Sequence, residues 1–154
     1  MNIEDIIKGK GKTLFTVKKT TSAFDAATIL DRERVGVLMV IDDKDNVAGI
    51  LSERDILYKC YKTDIPLKER KVEDLMTKAE DIIVGRSDDT PRALMNIMVT
   101  KGIRHIPIME GDAIKGIVSI EDLLKFIVDK SEIESRKLRE YIENPFGVHI
   151  YNND

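Results

Sequence analysis

Two copies of one short pattern carry most of the side chains in this sequence that could do chemistry. GILSERDIL covers residues 49–57 and GIVSIEDLL covers residues 116–124, and both copies read Gly-x-x-Ser-x-x-Asp. At the start of a helix, Ser-x-x-Asp is a capping box that satisfies free backbone N–H groups. The same helix start presents N–H groups and a positive dipole end to a phosphate, and its Asp can accept two hydrogen bonds from a ribose diol. Spacing alone leaves both interpretations open.

The two copies differ in charge beside the motif aspartate. Arg54 precedes the first aspartate and can bind a phosphate, whereas Glu121 at the matching place in the second copy repels one. We therefore expect the two sites to differ, with one favouring nucleotides and the other empty or filled by a less charged molecule.

Other familiar sites are not predicted. GKGKT at residues 9–13 resembles a phosphate loop, but Ile6 stands where that motif needs glycine, so we expect the lysines there to be solvated. Two histidines, His105 and His149, and the single Cys60 offer no metal-ligand spacing. Since no Gly-x-Ser-x-Gly nucleophile elbow occurs either, we expect neither a catalytic residue nor a metal, and no enzyme.

Composition narrows the classes of partner. The 154 residues carry a net charge of -3, only 5% are aromatic and none is Trp, which argues against a nucleic-acid partner. One cysteine indicates a reducing compartment, and no apolar window reaches the length of a membrane span. These observations predict a cytoplasmic protein with no membrane partner.

Each motif closes a repeat of the order β-α-β-β-α. In the first copy we predict a strand at Leu14 to Val17, a helix capped by Ser22 that ends near Glu33, and a hairpin of Val37 to Ile41 with Val47 to Leu51. In the second copy we predict a short strand at Ile82 to Val84, a helix from Thr90-Pro91 to Gly102, and a hairpin that turns at residues 110–112. Short helices are expected to precede the repeats, near residues 2–8 and 72–77.

One repeat of about 60 residues is marginal alone, because a three-stranded sheet with helices on one face leaves its other face bare. We therefore predict two repeats packed sheet to sheet: residues 1–63, a connector at 64–71, and residues 72–130. Residues 131–154 are expected to form a separate polar helix that starts at Ser131 and stops at Asn144-Pro145, followed by a tail.

The duplicated βαββα order, with GILSERDIL, RHIP at 104–107 and GIVSIEDLL, strongly resembles a tandem pair of cystathionine-β-synthase (CBS) domains. The resemblance covers about residues 1–130. It implies an α+β fold with a pseudo-two-fold axis and two clefts, which in that family hold AMP, ADP, ATP, NAD(H) or S-adenosylmethionine. It also implies a homodimer and a regulatory role, in which occupancy of the clefts is relayed to a protein partner.

The resemblance also implies roles for individual residues. Asp55 and Asp122 would hold ribose hydroxyls, and Ser52 and Ser119 would lie near the phosphate. Adenine would be held by main-chain groups and apolar walls near residues 13–17 and 82–84, which include Thr13, Thr16, Val17 and Ile83, with Val37 and Ile106 nearby. Arg104 and His105 would reach the mouth of a cleft. No cofactor is obligatory. The alternative is a structural module that binds no ligand and whose Ser-x-x-Asp elements only cap helices.

Overall fold

The chain forms two sheets, and each repeat contributes three strands to its own sheet. The computed structural model describes residues 2–11 and 14–143, without the side chains of residues 141 and 143. The helices are α1 (Ile3–Lys10), α2 (Ala23–Glu33), α3 (Glu53–Cys60), α4 (Val72–Leu75), α5 (Pro91–Lys101) and α6 (Ile120–Glu143). The strands are β1 (Thr16–Lys18), β2 (Val37–Ile41), β3 (Val47–Ser52), β4 (Thr77–Lys78), β5 (Gly85–Arg86), β6 (His105–Glu110) and β7 (Ala113–Ser119).

The strand pairing follows the same plan in both repeats. The first sheet has the order β1-β2-β3-β4 and the second has the order β5-β6-β7. In each sheet the first pair is parallel and the central hairpin is antiparallel. This arrangement confirms the predicted mixed α+β fold.

Two predicted elements are wrong in their bounds. The second copy's short strand is Gly85–Arg86, not Ile82 to Val84. Ile82 packs between the two sheets, and the chain pairs with β6 only from Gly85 onward. Nor does a separate helix start at Ser131: α6 runs from Ile120 to Glu143 without a break. No glycine or proline interrupts this stretch, so the exposed serine is carried inside the helix. The stop predicted at residues 144–145 and the tail lie outside the described residues.

Two cores lie on the helix-facing sides of the sheets, and the short leading helices are exchanged between them. Val72 and Leu75 of α4 are buried in the first core, with Leu38 and Val40. Ile3 of α1 is buried in the second core. Each repeat is therefore completed by the segment that precedes the other.

A third cluster joins the two sheets. Strand alternation turns Val37 and Met39 away from the helices, and they pack against Ile117 of the other repeat. Matching backbone hydrogen bonds follow on both sides: Glu53 N donates to Gly36 O at 3.0 Å, and Ile120 N donates to Arg104 O at 2.9 Å. The sheets thus pack face to face in an approximately two-fold arrangement.

Candidate functional site

Both Ser-x-x-Asp motifs form complete capping boxes. Oδ2 of Asp55 accepts hydrogen bonds from Ser52 N and Oγ, each at 2.9 Å, and Asp55 N donates to Ser52 Oγ at 3.2 Å. Oδ2 of Asp122 likewise accepts from Ser119 N at 2.7 Å and from Ser119 Oγ at 2.8 Å. The capping interpretation is therefore correct for both copies, although it leaves further acceptor capacity on each carboxylate.

The two aspartates differ in their cationic neighbours. Asp55 has Lys59 of its own helix 3.3 Å from Oδ1, and this lysine also donates to Leu75 O at 2.6 Å. Asp122 is paired with Lys10, which comes from α1 in the other half of the chain and also donates to Ile117 O at 3.3 Å. The second motif is thus closed by a residue that the sequence predicts to be solvated.

A cavity of about 210 Å³ opens beside the second motif. Its walls come from both repeats: Lys10, Arg34, Val35, Gly36, Val37, His105, Ile117, Ser119, Glu121 and Asp122. Polar groups of the motif therefore face apolar side chains and two cations across the junction between the repeats.

A wider depression of about 520 Å³ continues from this cavity toward the first motif helix and shares Arg34, Val35, Gly36, His105 and Glu121 with it. Glu53 at the start of α3 pairs there with Arg104 at 3.2 Å, which links the two repeats. A Cβ atom on Gly36 would lie only 2.9 Å from Cε1 of His105. The absence of a side chain at residue 36 therefore makes room for the imidazole.

His105 lies half-buried at this junction. Burial lowers the pKa of His105 below its usual value of 6.5. Glu121 and Glu53 act in the opposite direction, while Arg104 and Lys10 add to the lowering. A neutral imidazole can donate one hydrogen bond and accept one, so His105 suits a polar ligand without adding charge.

The structure brings together only part of the predicted site. Ser119, Asp122, Val37 and His105 line the smaller cavity, and Arg104 and His105 line the wider one. Ser52 and Asp55 cap α3 as a half-buried pair, while Arg54 is exposed.

Four of the residues predicted near adenine do not line the two cavities. Val17 and Ile106 belong to the two helix-facing cores, because strand alternation points their side chains away from the junction between the sheets. Thr16 is exposed and Ile83 is half-buried, and neither lines these two cavities. Thr13 lies outside the described residues.

Two cations of the cavity were not predicted from the sequence. Lys10 reaches the second motif only because α1 packs on the second core, and no local pattern signals this exchange. Arg34 ends α2 in the left-handed conformation, with φ of 54°, where the second repeat has Gly102 with φ of 65°. Comparison of these two helix ends could have marked residue 34 as unusual.

Within residues 2–11 and 14–143, no group of three or more histidine, cysteine, aspartate or glutamate side chains is arranged to hold a metal ion. None of the helices in this part of the chain combines the length and apolar character needed to span a membrane.

Comparisons with known proteins agree with this architecture. Over 151 residues, 94% of the chain and 73% of the relative, the sequence is 30% identical to the mitochondrial CBS domain-containing protein CBSX3 of Arabidopsis thaliana. A CBS-domain protein from Agrobacterium tumefaciens superposes with a TM-score of 0.76 at 30% identity, covering 80% of this chain and 91% of that one. A CBS-domain protein from Pyrobaculum aerophilum, solved as a complex with AMP, has a TM-score of 0.68 at 19% identity and shares the fold, covering 79% and 89%.

The model of the CBS domain matches twice, over residues 3–62 and 72–129. The first range contains β1 to β3 and the second contains β5 to β7, and the motif aspartate falls seven residues before the end of each range. The chain therefore belongs to the CBS domain family and holds two tandem copies of the domain.

Proposed function

We propose that this CBS pair is a regulatory module that binds an adenosine-containing ligand beside the second motif. One observation carries the proposal: the cavity there combines Ser119 and Asp122 of the second repeat with Lys10 and Val37 of the first. The carboxylate suits a ribose diol, and the helix start with its serine suits a phosphate. The Pyrobaculum protein of the same fold binds AMP, which supports this class of ligand.

Regulation follows from where the cavity lies. A ligand that touches both repeats favours the packing of the repeats that it fits best, and so shifts their relative populations. Lys10 and Asp122 also line the groove between α1 and α6 on the outside of the molecule. Occupancy of the cavity can therefore reach an outer surface to which a protein partner has access.

Thermal unfolding with AMP, ADP, ATP, NAD(H) and S-adenosylmethionine tests the proposal. A ligand at 100 times its Kd should stabilise the protein by about 2.7 kcal/mol. Asp122→Ala should abolish this stabilisation and Asp55→Ala should leave most of it. The absence of any shift at millimolar concentrations of all the ligands would refute binding.

The completed capping boxes favour a second candidate, a structural module without a ligand. This candidate predicts that Asp55→Ala and Asp122→Ala each lower stability by about 1 kcal/mol or somewhat more, with no ligand response to lose. Titration of the wild-type protein with the same ligands separates the two candidates, because only the first predicts saturable stabilisation.

A homodimer is part of the proposal. Large apolar side chains are exposed on helices of both repeats, among them Leu57, Tyr58, Val99, Leu124 and Val128. Large contiguous apolar patches mark protein–protein interfaces, and we propose that these side chains contribute to the one that a second copy of the chain covers. Sedimentation velocity of the full chain should show a dimer at micromolar concentration, and a monomer at all concentrations would contradict this part of the proposal.

A further inference from the structure

One ion pair of the candidate site differs from the others on the surface. Lys10 and Asp122 expose only 28% and 17% of their side chains, whereas Lys8 and Glu4, which pair within α1, expose 71% and 51%. Water and salt screen a half-buried pair much less than an exposed one. Separating Lys10 from Asp122 is therefore the more costly change.

A ribose diol that donates to both oxygens of Asp122 competes with this lysine at Oδ2. Oδ2 of Asp122 already accepts two hydrogen bonds from Ser119 in addition to the ammonium group. An uncharged nucleoside that engaged the carboxylate would draw it away from Lys10 and leave the ammonium without a full counter-charge. A half-buried cation without a partner is unfavourable, so this exchange weakens binding.

A phosphate removes that penalty. The Lys10 side chain is long and flexible, and its ammonium lies in the same cavity as Ser119 at the start of α6. The ligand then gains a charge-assisted hydrogen bond from Lys10 while its diol takes over the carboxylate. Arg34, the other cation of this cavity, exposes 86% of its side chain and lies 3.9 Å from Asp31, so solvent weakens its contribution. Glu121 also lines the cavity but is exposed, so solvent screens its repulsion of a phosphate as well.

We propose that Lys10 makes the second cleft selective for phosphorylated adenosine ligands over adenosine itself, by exchanging Asp122 for the phosphate of the ligand. This inference rests on the proposed function and names the residue that sets its ligand class. Because Lys10 belongs to α1, the exchange replaces a contact between α1 and Asp122 with a contact between α1 and the ligand.

Isothermal titration of AMP and of adenosine into four full-length proteins tests the inference: wild type, Lys10→Met, Lys10→Arg and Lys8→Met. Lys10→Met should lower the ratio of AMP affinity to adenosine affinity by about tenfold or more, because AMP loses a charged partner and adenosine no longer displaces one. Lys10→Arg should keep the preference for AMP. Lys8→Met is the matched control on α1 and should leave the ratio unchanged.

The outcomes separate this inference from the proposed function. If wild-type protein binds neither AMP nor adenosine, the proposed function fails and the inference fails with it. If wild-type protein binds AMP but Lys10→Met leaves the ratio unchanged, Lys10 is not the selector while ligand binding stands. Circular dichroism shows whether Lys10→Met is folded, and Lys10→Gln, which also removes the charge, gives the same test if it is not.

Discussion

Gly49, the first residue of the first motif, should not tolerate even a methyl group. It lies in β3 opposite Lys78 of β4, where the two strands pair over only two residues of β4. A Cβ atom at residue 49 would lie 2.5 Å from the carbonyl oxygen of Thr77 and 2.6 Å from Sδ of Met76. Ordinary contacts begin at 3.4 Å, so Gly49→Ala must push the backbone of β4 outward by nearly 1 Å.

The expected cost follows from this displacement. Overpacking of a closely packed site costs about 1–3 kcal/mol, and weakening the short β3–β4 pairing adds about 1 kcal/mol for each hydrogen bond that is lost. Gly49→Ala should therefore lower the free energy of unfolding by about 2–4 kcal/mol. For a chain of this size that corresponds to a decrease in Tm of about 5–15 °C.

Urea unfolding followed by circular dichroism measures this difference. Gly9→Ala is the matched control, because a Cβ atom there meets nothing within 4 Å. Gly9 lies inside α1, so alanine should instead stabilise the protein by about 0.5–1 kcal/mol. If Gly49→Ala unfolds within about 0.5 kcal/mol of wild type, the close approach of β4 does not explain the glycine of this motif.

Three further predictions concern the junction. The pKa of His105 is lower in the folded protein than in the unfolded chain, so its contribution to stability is complete above about pH 6.5 and is lost as the pH falls below that value. Urea midpoints at pH 7.5 and 5.5 should therefore fall more for wild type than for His105→Gln; equal losses would contradict this. Arg34→Gly should raise the unfolding free energy by a few tenths to about 1 kcal/mol, as its φ of 54° suits glycine, and a decrease in calorimetric Tm would count against strain there. Without ligand, Asp122→Ala should cost more stability than Asp55→Ala, because it also removes the pairing with α1; the opposite order in chemical denaturation would contradict a stabilising role for that pair.

Local patterns predicted most elements of the fold. The caps at Ser22, Ser52 and Thr90 lie where the sequence places them, because an N-cap is decided by a few neighbouring residues. The strand at Ile82 to Val84 was misplaced because an apolar run does not reveal which of its residues face another sheet. The break at Ser131 was wrong for a related reason: a possible capping residue ends no helix unless the preceding residues stop being helical.

The candidate site was predicted in part. Ser119 and Asp122 follow directly from the repeated motif, whereas Lys10 could not be assigned because it is more than 100 residues from Ile117 and Asp122 in the sequence. Val17 and Ile106 are predicted to lie beside a ligand. Side chains alternate between the two faces of a strand, however, and both of these point into the cores on the helix-facing sides of the sheets.

The sequence by itself determined that this chain holds two βαββα repeats with a Ser-x-x-Asp pair at the start of the last helix of each, since hydrophobic periodicity and caps are local properties. The tertiary structure alone decided that the repeats exchange their leading helices, and so that Lys10 closes the second motif. The physical reason is that burial of Ile3 in one core and of Val72 in the other depends on the packing of the whole molecule. The cation at the second motif is therefore set by that packing, whereas the cation at the first motif lies four residues farther along the same helix.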